Sequence, residues 1–434
     1  MTRHFTLAAT LALLGLTIPQ AQSADMPAMG PWNAGAAKTA ESSRLVQSAM
    51  AMIKGEIAHI ADENLRKATE DAVFNADTCI KHRTGLDEAK KQAILDKLTE
   101  GGLIDATEAG RIPGGLLAGI FPAVRDDGSA CPKLPQPYFA APGSVFGGHH
   151  SQPGGLAEHV AVNLTSALHL ADTYRKVYGT LDKDGHPVVR SGAAGETADA
   201  AFAINQDVVI AAPIWHDWAK TIVFQWNADG SEFPELNFAG NGKTDAWGAA
   251  GSSKTGAHHL IGVAEAMARG FAPEQIITHA SAHGAPNAGN EYNVVNFIRT
   301  AAILANVDPV AKGYLKADAT NRLRLAPVRM TGSVDIQASL PNQPNMLYEY
   351  VLHNLSDADY TYTGTASVQS DLLLKLLAAK FGYDPADATK FNTKFRNVVL
   401  SHLGAERVLT LYANGGIDMV EKEIGKLKAA KAID

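Results

Sequence analysis

The stretch Trp215-His216-Asp217-Trp218-Ala219-Lys220 sets an imidazole, a carboxylate and an ammonium close together, directly after the apolar run 208–214. Burying a carboxylate costs several kcal/mol unless something positive pairs with it. A divalent metal is such a partner, and adjacent His216 and Asp217 can both reach one ion. Lys220 follows His216 by one helical turn, so its ammonium can project over the same site toward an anionic substrate. Taken alone, a His–Asp pair at a helix end is more often structural than chemical. The other histidines decide between the two.

Those histidines need elements to hold them. A Pro-Gly-Gly turn at 153–155 feeds a helix whose apolar positions Leu156, Val160, Leu164, Ala167, Leu168 and Ala171 keep helical spacing. His159 borders that stripe; by itself it would read as a hydrogen-bonded core histidine. His258 and His259 open another helix that runs to about Ala268. Pro273 starts the next one, where the first turn tolerates proline; it carries His279 and His283 one turn apart and ends at Gly284. A last apolar helix over 294–307 runs to Asp308, and Pro309 makes Asp308 a helix end.

The ordered set His159, His216-Asp217, His258, His283, Asp308 resembles the HD-domain superfamily of metal-dependent phosphohydrolases. Three local patterns carry the resemblance. His150-Ser-Gln-Pro-Gly-Gly-Leu-Ala-Glu-His159 is similar to the "HH-x-x-x-GGL-x-EH" opening of HD proteins related to bacterial exoribonucleases. The stretch 211–220 resembles "AALLHD-x-x-K", and Ile303-Leu304-Ala305-Asn306-Val307-Asp308 resembles the "ILAxAD" closing helix. The similarity covers roughly residues 135–312. It implies that His159, His216, Asp217 and Asp308 hold one metal, and that Asp217 bridges to a second held by His258 and His283. His258 fits better than His259, standing four residues before Gly262. His283 fits better than His279, so His259 and His279 are expected behind the ligands or on the surface. Pro213 departs from the pattern, and Asn306 offers a competing register for the last ligand.

Imidazole and carboxylate ligands suit iron, manganese, zinc or cobalt, and a bridging carboxylate holds two such ions at two-metal spacing. The expected reaction is hydrolysis of a phosphate ester or anhydride, nucleotide-like or otherwise, by metal-activated water. Asp217 would orient the nucleophile and Lys220 would meet a small phosphorylated substrate. Two other readings belong to different classes: a di-iron oxygenase of the same superfamily, and a non-catalytic metal-binding or sensing protein. The Gly-Tyr-Pro extension of cyclic-di-GMP phosphodiesterases is absent from the sequence.

The remaining sequence bounds these readings. Arg3 and His4 precede an apolar run over 5–18, then Pro19 and the small residues of Ala21-Gln22-Ser23. This order reads as a cleaved export signal over 1–23, too short to span a bilayer, for a periplasmic or secreted protein without a transmembrane anchor. The net charge of −7 becomes −8 when Arg3 leaves, which argues against a long nucleic-acid surface. Cys79 and Cys131 could form one disulfide or remain free thiols. The expected fold is all-α, an HD-type helical bundle over 135–325 with helical extensions over 24–134 and 326–434. Within it, 26–44 reads as a loose arm, 110–151 as a long ordered loop, 179–205 and 228–253 as insertions, and 328–340 as carrying a short strand. Amphipathic helices are expected over 372–381, 391–403 and 417–430, packing on the catalytic domain or forming a homo-oligomer surface. Tyr348, Tyr350, Tyr360 and Tyr362 could line a site, but read more simply as exposed loop tyrosines.

Overall fold

The computed structural model describes residues 28–126, 128–179, 184, 204–240, 253–328 and 335–434. The signal expected over 1–23, most of the insertion expected over 179–205, and 241–252 of the one expected over 228–253 lie outside them. The fold is all-α in class. Among the described residues the only sheets are two short antiparallel pairs, Asn237–Phe238 with Thr255–Gly256 and Leu315–Ala317 with Leu323–Leu325. No described helix is long and apolar enough to cross a membrane.

The helix Gln206–Trp215 is the axis of the molecule. Every residue from Val208 to Trp215 is buried, as a helix apolar on all sides requires. Around it pack Gly155–Tyr178, Pro273–Ala280 and Tyr348–Ser356, together with Arg44–Ile57 and Glu63–Phe74. The Asn205 side chain caps its first turn. Asp207 then accepts the backbone N–H groups of Ala61 and Asp62, both at 2.8 Å, which fixes the approach to Glu63–Phe74. The helix Ala257–Ala268 is buried almost throughout and lies against Glu291–Ala305.

The turn after the axial helix is pinned from outside. Trp215 donates its indole N–H to Thr69 Oγ1 and Trp218 donates to the Ala72 carbonyl, each at 2.9 Å. The Arg269 guanidinium lies over both indoles, 5.4 and 6.0 Å from their ring centres. It also bonds to Glu265 at 2.8 Å, Asp71 at 3.0 Å, and Thr78 and the Cys79 carbonyl at 2.9 Å each. Glu265 in turn accepts from the His82 ring at 2.8 Å and from the backbone of Lys81 and His82. A Cys79–Cys131 disulfide closes the same region.

Several expectations need correction. The arm over 26–44 contains the helix Asn33–Ser42, held by buried Asn33, Ala36 and Ala40. The strand expected within 328–340 is a helical turn at Ile336–Ser339, with 329–334 outside the described residues; the strand pair lies earlier. The four tyrosines sit on helices and not loops; Tyr348, Tyr360 and Tyr362 are exposed as expected, and Tyr350 is buried. One apolar core includes Ile53, Leu156, Trp215, Leu260 and Tyr350, drawn from N-terminal, central and C-terminal segments. A second core ties the C-terminal helices together from Ala366 to Ile433.

Arg269→Ala should destabilise the protein by about 3–5 kcal/mol in urea unfolding, because Glu265 and Asp71 lose their shared cation. Arg269→Lys should recover less than half, since an ammonium cannot serve so many acceptors in one plane. Burial opposes the charge on Glu265, yet His82 and Arg269 hold its carboxyl below the usual range; burial holds His82 below its own. The unfolded chain therefore binds more protons than the folded one. This contribution is fully present above pH about 6.5 and is lost as the pH falls through the two depressed values, which thermal melts across pH 7 to 4 would follow.

Candidate metal centre

Five of the six expected ligands converge. His159 comes from the helix Gly155–Tyr178, and His216 and Asp217 from the pinned turn. His258 lies in the first turn of Ala257–Ala268, and His283 stands just beyond Pro273–Ala280. Asp308 does not join them. It is exposed, and its carboxylate accepts the backbone N–H groups of Val310 and Ala311 to close a turn before the Leu315–Ala317 strand. Asn306, the competing register, is likewise exposed, as the left-handed cap of its helix. Asp357, at the C-terminus of Tyr348–Ser356, reaches the centre instead.

His159 Nε2 lies 3.1 Å from Asp217 Oδ2, 3.0 Å from Asp357 Oδ1 and 3.4 Å from His216 Nε2. His216 Nε2 lies 3.3 Å from Asp217 Oδ2 and 3.1 Å from Asp357 Oδ1. Ligands about 2.1 Å from a cation sit about 3.0 Å apart at octahedral right angles and about 3.4 Å apart in a tetrahedron. These five spacings fill that interval. The other oxygen of Asp217, Oδ1, lies 3.2 Å from His258 Nε2, yet neither atom has a hydrogen-bond partner although both are buried. His283 completes a second ligand group with them, its Nε2 3.9 Å from Asp357 Oδ2.

All four imidazoles are set the same way, with Nδ1 against an oxygen. His216 Nδ1 meets the Pro213 carbonyl at 2.9 Å, and His258 Nδ1 meets Glu235 Oε1 at 2.5 Å. His283 Nδ1 meets Thr255 Oγ1 at 3.0 Å, and His159 Nδ1 faces Asp359 Oδ1 at 3.2 Å. Where an acceptor is hydrogen-bonded to Nδ1, as for His216 and His258, the proton is kept there and the Nε2 lone pair is left for a metal; His159 Nδ1 and Asp359 Oδ1 face each other without a hydrogen bond. Glu235 and Thr255 flank or lie within the short strand pair, and Gly256 is required beside them. A Cβ at Gly256 would come within 2.6 Å of the Glu235 carboxylate.

The charges ask for a cation. Burial alone would raise the Asp217 and Asp357 carboxyls, but His216 and, for Asp217, Lys220 hold both well below the usual range. Against burial, the same carboxylates push His216 up to about 9 and raise His159 well above an ordinary imidazole. Positive charge is thus drawn to the cluster, and metal binding supplies it by releasing protons. Lys220 is 4 % exposed and donates to Asp217 Oδ2 and to the Gly143 carbonyl, so its ammonium is engaged inside the centre while lining the cavity. His259 and His279 are fully buried behind the ligands, His259 stacked on His283 at 4.4 Å.

The loop bearing Gly143 is folded tightly around His150, which takes a left-handed backbone (φ 49°). A Cβ at Gly155 would strike the His150 carbonyl oxygen at 1.8 Å, which accounts for glycine there. A cavity of about 480 Å3 opens over the centre, walled by Val145, His149, Phe224, Leu355 and Tyr360. Asp357, Asp359 and Glu235 were not singled out from the sequence. The one signal for the aspartates is Asp357-Ala-Asp359 at the end of an amphipathic segment carrying His353. Glu235 had none, lying in a stretch that read as an insertion.

No family model, curated protein or solved structure matches this chain. The two candidate closing ligands can be compared directly. Asp357→Ala should lower the metal content of the purified protein, whereas Asp308→Ala should leave it at the wild-type value. Elemental analysis of both variants makes the check.

Proposed function

We propose that this chain is a metal-dependent hydrolase of the HD type that splits a small phosphate ester or anhydride with metal-activated water. The observation that carries the reading is the sharing of Asp217, whose Oδ2 faces His159 and His216 while its Oδ1 faces His258. The residues present fit two ions. His159, His216, Asp217 and Asp357 would hold one, and Asp217, His258 and His283 the other, with iron, manganese, zinc and cobalt all suited to such donors. When bound, such a pair lowers the pKa of water toward neutrality and offsets charge on phosphoryl oxygens.

The chain's own groups do the remaining work. Lys220, itself anchored by the Gly143 carbonyl, holds Asp217 in orientation. Burial, then the charge of Lys220, push His149 down to about 2, so it meets substrate as a neutral hydrogen-bonding ring. Phe224, Val145 and Leu355 give the cavity apolar walls that limit water. The HD-like opening and His–Asp motifs support the reading, with Asp357 taking the part the resemblance gives to Asp308. The Cys79–Cys131 disulfide supports export to an oxidising compartment.

Chelation should abolish hydrolysis of bis(p-nitrophenyl) phosphate, and manganese or iron should restore it. His258→Ala should hold one ion fewer than wild type while keeping the ion shared by His159 and His216. Oxygen uptake coupled to C–C or C–P cleavage would assign the centre to oxygenase chemistry. Wild-type protein that binds metal but turns over neither class of substrate would make it a binding or sensing site.

A further inference from the structure

A further buried imidazole, outside the centre, also lies among carboxylates. His150 is 4 % exposed; its Nδ1 faces Glu158 Oε2 at 3.7 Å, and its Nε2 faces Asp359 Oδ2 at 3.0 Å and Glu406 Oε1 at 3.5 Å. This group forms part of the wall of a second cavity of about 970 Å3, which shares no lining residue with the first. Three carboxylates therefore face one ring; Gln152 donates to Glu158 Oε2 at 3.0 Å and His159 Nδ1 faces the other oxygen of Asp359. Glu158 Oε1 and Glu406 Oε1 are buried without a hydrogen-bond partner. Buried carboxylate oxygens left in that state are unfavourable unless a cation takes them up.

We propose that His150, Asp359 and Glu406 hold a further divalent cation, on the far side of Asp359 from the two-ion centre, with Glu158 lying beside the His150 ring. The 3.0 Å between Nε2 and Oδ2 is the spacing of neighbouring octahedral ligands about 2.1 Å from an ion. Glu406, 30 % exposed, is the ligand with room to close its slightly wider gap. One imidazole with two carboxylates is a donor set for Mn2+ or Fe2+, harder than the histidine-rich centre. The other oxygen of Asp359 faces His159 Nδ1, so an ion here steadies the carboxylate beside the His159 ring. The proposal stands on its own ligands and does not depend on the hydrolase reading.

The test is a titration of metal-stripped full-length protein with Mn2+, counting bound ions by equilibrium dialysis and following the electron paramagnetic resonance signal. Wild type should bind one ion more than Glu406→Gln and His150→Gln, and the lost ion should carry the six-line spectrum of isolated Mn2+. His258→Ala, which alters only the centre, should keep that signal and lose an ion elsewhere. Loss of one ion in either outer variant, with the others retained, supports the site. Equal counts in wild type and both outer variants overturn it. Simultaneous loss of every ion also overturns it, because the cluster would then be a prop for the centre rather than a site.

Discussion

Most of this structure can be read as the means of keeping one carboxylate, Asp217, ionised where almost no water reaches it. Asp217 ends a helix whose residues from Val208 onward are all buried, so the chain cannot turn outward there without exposing apolar surface. The carboxylate must be satisfied from within. Lys220, His159, His216 and His258 approach it from three separate elements. Trp215 and Trp218 fix the turn by indole hydrogen bonds to the helix Glu63–Phe74, and Arg269 covers both rings. That N-terminal helix carries no chemistry of its own, yet it determines where the His–Asp pair can stand.

The parts legible in the sequence were those in which type and spacing act locally. The helix bearing His159 and the His–Asp turn follow from apolar periodicity and glycine positions, while the choice of His258 and His283 as the facing histidines comes from the family resemblance. The ligand that closes the centre was not legible. Asp308 fitted a local pattern, but its helix ends in a left-handed Asn306 and carries Asp308 outward into a turn. Asp357 lies in a region whose pattern shows only amphipathic helix. What brings it inward is packing of Tyr348–Ser356 across both Gly155–Tyr178 and Gln206–Trp215, a contact between residues nearly two hundred positions apart. Glu235 escaped notice for the same reason, since two-residue strands set its position and leave no periodicity to read.

Helix direction adds a further constraint. The helices Gln206–Trp215 and Tyr348–Ser356 end at the centre with His216 and Asp357 as their C-terminal caps, and Pro273–Ala280 ends three residues before His283. A helix C-terminus carries roughly half a negative charge. Three such ends are therefore directed at a place that already holds two buried carboxylates. Without positive charge this would be among the least favourable arrangements the fold could adopt, and the raised imidazoles show the protein drawing protons to offset it. A bound metal ion would do so more completely, because it would meet carboxylates, Nε2 lone pairs and helix ends together. Binding energy at the centre would then be folding energy for the helices that end there. Because the Asp357 helix packs against both Gly155–Tyr178 and Gln206–Trp215, that energy would also tie the C-terminal segment to the elements that carry His159, His216 and Asp217.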